Sequence, residues 1–421
     1  MKGCYFCLIL KHIMGKGKGG KSMKKRLLAI VLAASTALLA IGCATTGSSK
    51  ATASTGSSSA ASPASSTASS AAAETASSTA ASTSSSASTS STDDVTVGNW
   101  DATYDNVDKM VINLYNPVAG EVTDQSYQIF AENVEKMSKG AITCNITPAG
   151  SIGKEREATQ LLLAGEIDGG VFSIDGLDWL VPDVGMYWVS LPGFINSYDE
   201  VDSIYNNGWY FQRHKEVAAA AGVDVVCPGE FGLKVFEGTG SPIRTFDDFK
   251  GKVIRVPDIQ MNHDYIEALG ATSVSGIDMY TGLQQGTMDA VQNNIPASAL
   301  FKLEEVVTWV TLTWDIYGTN YWVFNKDFTD KCSDVQKEII YASAKKAAKY
   351  IREQYRQIND QWVQECRDNP KIEVIDIDDT FKAKLKEVAY KVWEKERDTL
   401  DPVAMDQIFK DFYPAGLSSA S

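Results

Sequence analysis

The pentapeptide Val253-Ile254-Arg255-Val256-Pro257 places an arginine inside a short apolar segment that ends at a proline. Its β-branched residues predict a strand, and a helix is predicted to follow the strand as far as Leu269. Burying an isolated charge costs several kcal/mol, and a guanidinium cannot avoid that cost by losing its proton. Arg255 therefore requires a carboxylate, which either belongs to the protein or arrives with a ligand.

The segments upstream of this strand predict an α/β fold. A strand is predicted over 110–114, an amphipathic helix from Asp124 to Gly140, and a second strand over 142–146. This βαβ order is typical of a largely parallel sheet. The pattern Leu-x-x-Gly-x-apolar-Asp-small occurs at 162–169 and again at 283–290. The repetition favours two similar α/β lobes, although helix-Gly-strand junctions are common enough to recur by chance.

A long helix is predicted near the C-terminal end of the chain. Ser333 and Gln336 form a capping-box pattern, and an apolar stripe continues from Ile340 to Trp362. A helix of roughly 35 residues is about 50 Å long, which is too long for one small domain. We therefore expect a two-lobed periplasmic-binding-protein-like fold of the α/β class, with this helix spanning both lobes. A coiled-coil contact is the alternative. The first lobe is predicted over 109–231, completed by about 319–358, and the second over 232–318, completed by about 359–421.

The N-terminal region predicts export and attachment to a membrane. Three basic residues at 24–26 precede an apolar run over 27–41, which is followed by Gly42-Cys43. Residues 1–43 are therefore interpreted as a lipoprotein signal peptide with Cys43 as the lipidated residue, although Ala40 stands where leucine is usual. An ordinary signal peptide cleaved nearby is the alternative, and Met23 is an alternative start. Residues 44–108, rich in Ser, Ala and Thr up to about Thr92, predict a disordered tether.

The composition excludes several function classes. A formal net charge of −14 argues against nucleic acid or an anionic membrane surface as the main partner. Only three histidines are present, the cysteines lack metal-ligand spacing, and the G-x-S-x-G motif of α/β-hydrolases does not occur. We therefore expect no enzyme activity, no catalytic residue, no metal site and no cofactor.

From Val111 to about Gln361 the order of motifs resembles the substrate-binding subunit of TRAP transporters, the DctP-type periplasmic proteins that capture organic acids for a membrane permease. The matching segments are Phe130-Ala131-Glu132, Ser138-Lys139-Gly140, 148–156, Leu191-Pro192-Gly193-Phe194, 249–257, Ala268-Leu269-Gly270-Ala271, Tyr280, Leu283-Gln284, Gly286, Asp289 and Asn293. Each segment alone is a weak signal, whereas the ordered set is quite specific and covers most of the part predicted to fold.

The resemblance implies a ligand site. It implies that Arg255 forms a salt bridge with the ligand carboxylate and that Asn293 orients the ligand. Lys234 stands where many family members have a second arginine, and Asp315 stands where the family often has histidine. These departures make a C4-dicarboxylate a less secure choice of ligand. The remaining candidates are Glu230, Tyr280, Asp258, Arg156 and Tyr317.

Structural alternatives remain for several of these residues. From residue chemistry alone, Arg255 is equally interpretable as one half of an internal ion pair with Asp258, Glu230 or Asp289. Lys234, Glu230 and Tyr280 are also consistent with rim or surface positions, and Arg156 with a solvated helix start. Four aromatic residues would suit a larger or aromatic acid, but aromatic side chains are more often part of a core. They are Trp179, Trp188, Trp314 and Tyr317.

The sequence thus predicts an extracytoplasmic, lipid-anchored binding protein. It would close around an organic acid and deliver that acid to the membrane subunits of a TRAP permease. A sensor that presents the same acid to a receptor kinase is the main alternative, because it would use the same cleft. A surface enzyme is a further alternative, against which the sparse histidines count.

Overall fold

The computed structural model describes residues 98–117, 120–180, 185–206 and 208–414. The predicted signal peptide and Cys43 lie outside these residues, as does the predicted tether up to residue 97. The part of the tether that is described is packed, because Trp100 and Tyr104 lie against a hydrophobic core and the Tyr104 amide donates to the Met137 carbonyl at 2.8 Å. The predicted bounds of the two lobes stay a prediction.

Strands and helices alternate along most of the chain. The strands are β1 Met110–Tyr115, β2 Ile142–Thr147, β3 Gly169–Ser173, β4 Val223–Pro228, β5 Gly232–Gly238, β6 Val253–Arg255, β7 Thr272–Val274, β8 Ala290–Asn294, β9 Trp309–Leu312, β10 Tyr317–Gly318, β11 Asn320–Asn325 and β12 Glu373–Asp376. The α-helices are α1 Glu121–Met137, α2 Glu155–Ala164, α3 Ile174–Leu180, α4 Tyr198–Glu200, α5 Trp209–Ala220, α6 Gln260–Ala268, α7 Met279–Gln285, α8 Ile295–Leu300, α9 Lys326–Lys331, α10 Asp334–Asp368, α11 Asp379–Glu396 and α12 Pro402–Phe412.

The described strands form two sheets. The first sheet has five strands in the order β2-β1-β3-β11-β4, with β1 parallel to β2 and β3, and β11 antiparallel to β3 and β4. The second sheet has seven strands in the order β12-β9-β5-β8-β6-β7, and β10 pairs with β5. The predicted βαβ unit is confirmed as β1-α1-β2, and the α/β fold class is confirmed as well.

Strand β1 shows why this sheet forms. Ile112 and Leu114 are buried whereas Val111 is 51% exposed, so the strand presents one apolar face to the core. Trp322 of β11 is fully buried on the same face of this sheet, and its ring stacks on Phe130 of α1 with centroids 4.7 Å apart. Helix α1 therefore covers the first sheet through the apolar stripe that the sequence predicted.

The predicted long helix is confirmed as α10, which has 35 residues. Ser333 caps it, since its side chain accepts from the Gln336 amide while the Gln336 side chain accepts from the Ser333 amide. The N-terminal half of α10 packs in the core of the first sheet through Ile339 and Ile351. Its C-terminal end packs through Trp362 against Val235 and Val291 of the second sheet. The helix thus bridges both sheets, as predicted.

We predict that the two faces of β1 differ sharply in their tolerance of alanine. Ile112→Ala should lower the free energy of unfolding by about 2–5 kcal/mol, because it leaves a cavity under α1. Val111→Ala on the exposed face should change it by less than about 1 kcal/mol. Urea denaturation followed by circular dichroism measures both values, and equal losses would contradict the assigned register of this strand.

Candidate functional site

Besides the passage through α10, the chain crosses between the two sheets at two adjacent places. One crossing joins β4 to β5 through 229–231, and the other joins β10 to β11 through Thr319. The amide of Gly229 donates to the Asn320 carbonyl at 2.7 Å, and the amide of Phe231 donates to the Gly318 carbonyl at 3.0 Å. The two crossings therefore run side by side as a hydrogen-bonded pair, which we call the hinge.

The backbone of the hinge contains a strained residue that is tightly held. Glu230 has a φ of 79°, a region that non-glycine residues rarely adopt. Its carboxylate is fully buried and accepts two hydrogen bonds from Arg356 of α10, each at 2.8 Å. Arg356 and Arg352 also pair with Asp202. Burial raises the pKa of Glu230, and the two arginines oppose that rise. The long helix thus fixes the hinge through a buried ionic cluster.

A cavity of about 780 Å³ lies beside the hinge, between the two sheets. The elements of the first sheet contribute Glu155 at the start of α2 and Asp175 in the first turn of α3. The second sheet contributes Lys234 from β5, Arg255 from β6 and Asn293 from β8. Charged and polar side chains from distant parts of the sequence therefore face one enclosed space.

Arg255 reaches this cavity without an ionic partner. Its Nε is buried and has no hydrogen-bond partner, and its Nη1 donates only a long contact of 3.6 Å to the sulfur of Met279. Burial lowers the pKa of Arg255, and the more distant Asp175 and Asp278 oppose that effect. The guanidinium thus points into the cavity with unused donors.

The internal partners considered for Arg255 are engaged elsewhere. Glu230 is held by Arg356 at the hinge. The carboxylate of Asp289 accepts from the Val253 amide at 2.7 Å, so it fixes the start of β6. Asp258 lies at the rim, where its side chain accepts from Ser275 at 3.3 Å. Within the described residues, Arg255 forms no ion pair.

Lys234 is a second cation in the same cavity. It is 3% exposed, and its Nζ has no hydrogen-bond partner within the described part of the chain. Burial lowers the pKa of Lys234, while Asp175 and Asp315 act in the opposite direction. Asp315 already accepts from Tyr265 at 2.7 Å and from Thr313 at 2.8 Å. The ammonium of Lys234 therefore has nearby negative charge but no acceptor in contact.

Two carboxylates on the opposite wall were missed by the sequence analysis. Glu155 accepts from the Ser173 amide at 2.6 Å, and burial raises the pKa of this carboxyl to about 7. Asp175 acts electrostatically on both Lys234 and Arg255. A usable signal was present for Asp175, because it lies two residues after the end of β3, the same spacing at which Pro257 follows the strand of Arg255.

The structure brings together four of the predicted site residues and separates the others from the cavity wall. Those that line the cavity are Lys234, Arg255, Asp258 and Asn293. Glu230, Tyr280, Arg156 and Tyr317 do not line it; in each case an immediate neighbour does instead, namely Phe231, Met279, Glu155 and Gly318. The motifs therefore lie in segments that border the cavity, whereas the direction of each side chain depends on the local backbone.

The residues outside the wall have other contacts. Tyr280 donates to Glu305 at 3.1 Å on the exposed side of α7, and Tyr317 is fully buried in the core. Trp188 is also fully buried in that core, and the side chain of Trp179 lies outside the described residues. Tyr187, Phe231 and Phe301 supply the aromatic surface of the cavity. The aromatic residues singled out from the sequence thus do not form this wall where they are described.

Two further properties of the described residues bear on function. No described helix is both long enough and apolar enough to cross a membrane. In the same residues, no cluster of three or more His, Cys, Asp or Glu side chains is placed to hold a metal ion.

Known proteins resemble this chain in sequence and in structure. Residues 117–398 match the family described as bacterial extracellular solute-binding protein, family 7. The sialic acid-binding periplasmic protein SiaP of Vibrio cholerae is 25% identical over 230 residues, which are 54% of this chain and 70% of that protein. The match to the family covers well over half of the chain.

Solved structures share the fold. The sugar acid binding protein DctPAm of Advenella mimigardefordensis, in complex with galactonate, has a TM-score of 0.65 at 20% identity, covering 75% of this chain and 100% of that chain. A TRAP periplasmic solute binding protein of Sulfitobacter sp. NAS-14.1, with bound β-D-galacturonate, has a TM-score of 0.62 at 22% identity, covering 71% and 98%. Because the family model matches residues 117–398, the chain belongs to bacterial extracellular solute-binding protein family 7.

Proposed function

We propose that this protein binds an organic acid in the cavity between its two sheets and delivers the acid unchanged to the membrane subunits of a TRAP permease. The observation that carries the proposal is the pair of cations formed by buried Lys234 and partly buried Arg255, which face the cavity without an acceptor in contact. A ligand carboxylate would supply the hydrogen-bond acceptor that these two side chains lack within the protein.

The geometry of the two cations suits a carboxylate. A guanidinium offers parallel N–H donors to both oxygens of a carboxylate, and each charged hydrogen bond contributes about 1.5–3 kcal/mol. An ammonium acts as a point charge with donors that rotate to fit. Arg255 therefore fixes the orientation of the carboxylate, and Lys234 adds attraction from β5, which is separated from the strand of Arg255 by β8.

The acidic side chains on the opposite wall favour a ligand with hydroxyl groups. Glu155 and Asp175 accept hydrogen bonds and would repel a second carboxylate placed beside them. Two structurally similar proteins hold galactonate and β-D-galacturonate, which each combine one carboxylate with several hydroxyls. A hydroxylated monocarboxylate is therefore the ligand class that best fits the charges of this cavity.

Binding would close the two lobes about the hinge. The cations lie on the second sheet, whereas Glu155 and Asp175 belong to the elements of the first. A ligand that contacts both sets stabilises the closed form, and only such differential affinity shifts the equilibrium between open and closed forms. The permease would then recognise the closed form.

We also propose that the mature protein is held at the outer face of a bacterial membrane by a lipid on Cys43. The basic, apolar and Gly-Cys segments at 24–43 support this anchor, and the Ser/Ala/Thr-rich segment after them supports a spacer role. Expression with a labelled fatty acid should label the wild-type protein and leave Cys43→Ser unlabelled. Equal labelling of both proteins would place the anchor elsewhere.

Replacing Arg255 should abolish tight binding. Arg255→Ala should lower the affinity for D-galacturonate or galactonate by about 10- to 150-fold, because it removes charged hydrogen bonds worth about 1.5–3 kcal/mol. Arg255→Lys should recover only part of that loss, since an ammonium lacks the two parallel donors. Isothermal titration calorimetry measures these affinities.

Arg244 provides the matched control for that measurement. It lies on the same part of the chain, is 56% exposed, and pairs with Glu373 at the surface. Arg244→Ala should leave the affinity unchanged. If Arg255→Ala binds the same acid as tightly as the wild type, the proposed role of the cavity is wrong.

Replacing Lys234 should raise the stability of the protein and weaken its binding of an acid. Lys234→Met should stabilise the ligand-free protein by about 1–3 kcal/mol, because it removes a buried charge that has no acceptor in contact, and it should weaken acid binding. The pKa of Lys234 is lower in the folded state than in the unfolded state. The destabilisation by Lys234 is therefore largest at low pH, and it shrinks as the pH rises toward the pKa of Lys234 in the unfolded state.

Urea denaturation between pH 6 and pH 10 tests this expectation. The gain from Lys234→Met should be largest at pH 6 and decline toward pH 10. Exposed Lys109 serves as the control, since Lys109→Met should show no such trend. A loss of stability in Lys234→Met at pH 6 would contradict the assignment of Lys234 as an unpaired cation.

A further inference from the structure

A buried carboxyl lies behind the cavity wall and is connected to it by hydrogen bonds. The amide Nδ2 of Asn293 donates to Ser298 Oγ at 3.3 Å, and Ser298 Oγ donates to Glu237 Oε1. Asn293 lines the cavity, whereas Glu237 is fully buried on β5 and its Oε2 has no hydrogen-bond partner in the described residues. Because a charged oxygen without a partner is costly to bury, this carboxyl calls for an explanation.

We propose that Glu237, acting through Ser298, is a positioning residue that decides which groups of the Asn293 amide face the ligand. The inference rests on the proposed function, since it concerns the same cavity. It adds a residue that touches no ligand and that none of the sequence motifs contains.

The single proton of Ser298 explains how Glu237 acts. When Glu237 is ionised, it can only accept, so the Ser298 proton is held by Glu237 and Asn293 must donate an N–H to Ser298. The carbonyl oxygen of Asn293 and one N–H then remain for the cavity. A carbonyl oxygen repels a ligand carboxylate, so this arrangement is the weaker receptor.

When Glu237 is protonated, the hydrogen bond between Glu237 and Ser298 reverses its direction. The carboxyl then donates to Ser298, and the Ser298 proton is released to either the Asn293 side-chain oxygen or the Asn294 carbonyl, which lies 3.3 Å away. The Asn293 amide is then free to turn its NH2 group toward the cavity. Two N–H donors suit a carboxylate better than one donor beside a carbonyl oxygen.

The surroundings of Glu237 place its titration in an accessible range. Burial raises the pKa of Glu237 to about 8, the hydrogen bond from Ser298 opposes the rise, and the charge of Glu304 adds to it. Cys366 of α10 also faces this carboxyl, and burial raises the pKa of that thiol to about 12, so it stays neutral. On the sheet, the residues that pair with Glu237 are Val291 and Val310, which carry no charge.

The test is the pH dependence of binding in matched variants. In the wild type, the affinity for D-galacturonate measured by calorimetry should fall about tenfold between pH 6.5 and pH 9.5 as a charged hydrogen bond is lost. Glu237→Gln carries a permanent donor and should show a smaller fall than the wild type, because only other groups such as Lys234, whose pKa is lowered by burial, then weaken binding across this range. Ser298→Ala breaks the relay and should also remove this step. If Glu237→Gln shows the same fall as the wild type, the inference is wrong.

Glu155 also titrates in this range and lines the cavity, so its contribution must be separated. Glu155→Gln should retain the step that Glu237→Gln removes, and the double variant should lack both. Thermal melts of Glu237→Gln at pH 6.5 check that the variant is folded. A step that disappears with Glu155→Gln and persists with Glu237→Gln would assign the pH dependence to Glu155 and overturn the proposal.

A ligand-free measurement distinguishes failure of this inference from failure of the proposed function. The side-chain amide signal of Asn293 in 15N-labelled protein is assigned by its absence in Asn293→Asp. It should shift with a midpoint near pH 8 in the wild type and stay constant in Glu237→Gln. If no acid binds but this shift occurs, the proposed ligand class fails and the relay stands. If acids bind and the wild-type signal does not shift, the relay fails.

Discussion

The cavity depends on two cations, one buried and one partly buried, that have no ionic partner in contact. Lys234 and Arg255 lie on neighbouring parts of the second sheet, and the carboxylates around them are either engaged elsewhere or held at a distance. Glu230 provides the contrast, because its buried charge accepts two hydrogen bonds from Arg356. The buried charge at the hinge is thus paired within the protein, which fixes the hinge. The two cations at the cavity have no such partner, which favours binding of an anion.

The hinge and the cavity are linked through one short strand. Strand β5 starts at the hinge, carries Lys234 on the cavity wall, and reaches Glu237 behind that wall three residues later. A change in the angle between the sheets therefore moves Lys234, and a change at Glu237 affects Asn293 through Ser298. Helix α10 restrains the same region, since it holds Glu230 at the hinge and packs against the second sheet near its C-terminal end.

Local patterns made much of this molecule predictable. The amphipathic stripe and capping box predicted α10, and the βαβ order predicted the first strands of the first sheet. The isolated arginine in an apolar strand predicted a receptor for a carboxylate, and the structure places that arginine in the cavity wall. These features depend on neighbours within a few residues, and such interactions can be read along the chain.

Local patterns did not predict the direction of individual side chains. Glu230 and Phe231 are adjacent in sequence, yet one closes an ion pair behind the hinge and the other lines the cavity. The left-handed backbone at Glu230 turns its side chain away, and no local pattern marks such a residue when it is not glycine. Tyr280 and Met279 differ in the same way on α7, whose orientation is set by packing.

The sequence by itself determined the family, the α/β class and the long helix, because periodicity, capping and motif order are local properties. Tertiary structure alone decided which partner each charge has. The ion pair of Glu230 joins residues 126 positions apart, and the link from Glu237 to Ser298 spans 61 positions. Whether a buried charge has a partner depends on atoms that folding brings from far along the chain. For this reason only the tertiary structure shows that Glu230 at the hinge is paired and that Lys234 and Arg255 at the cavity are not.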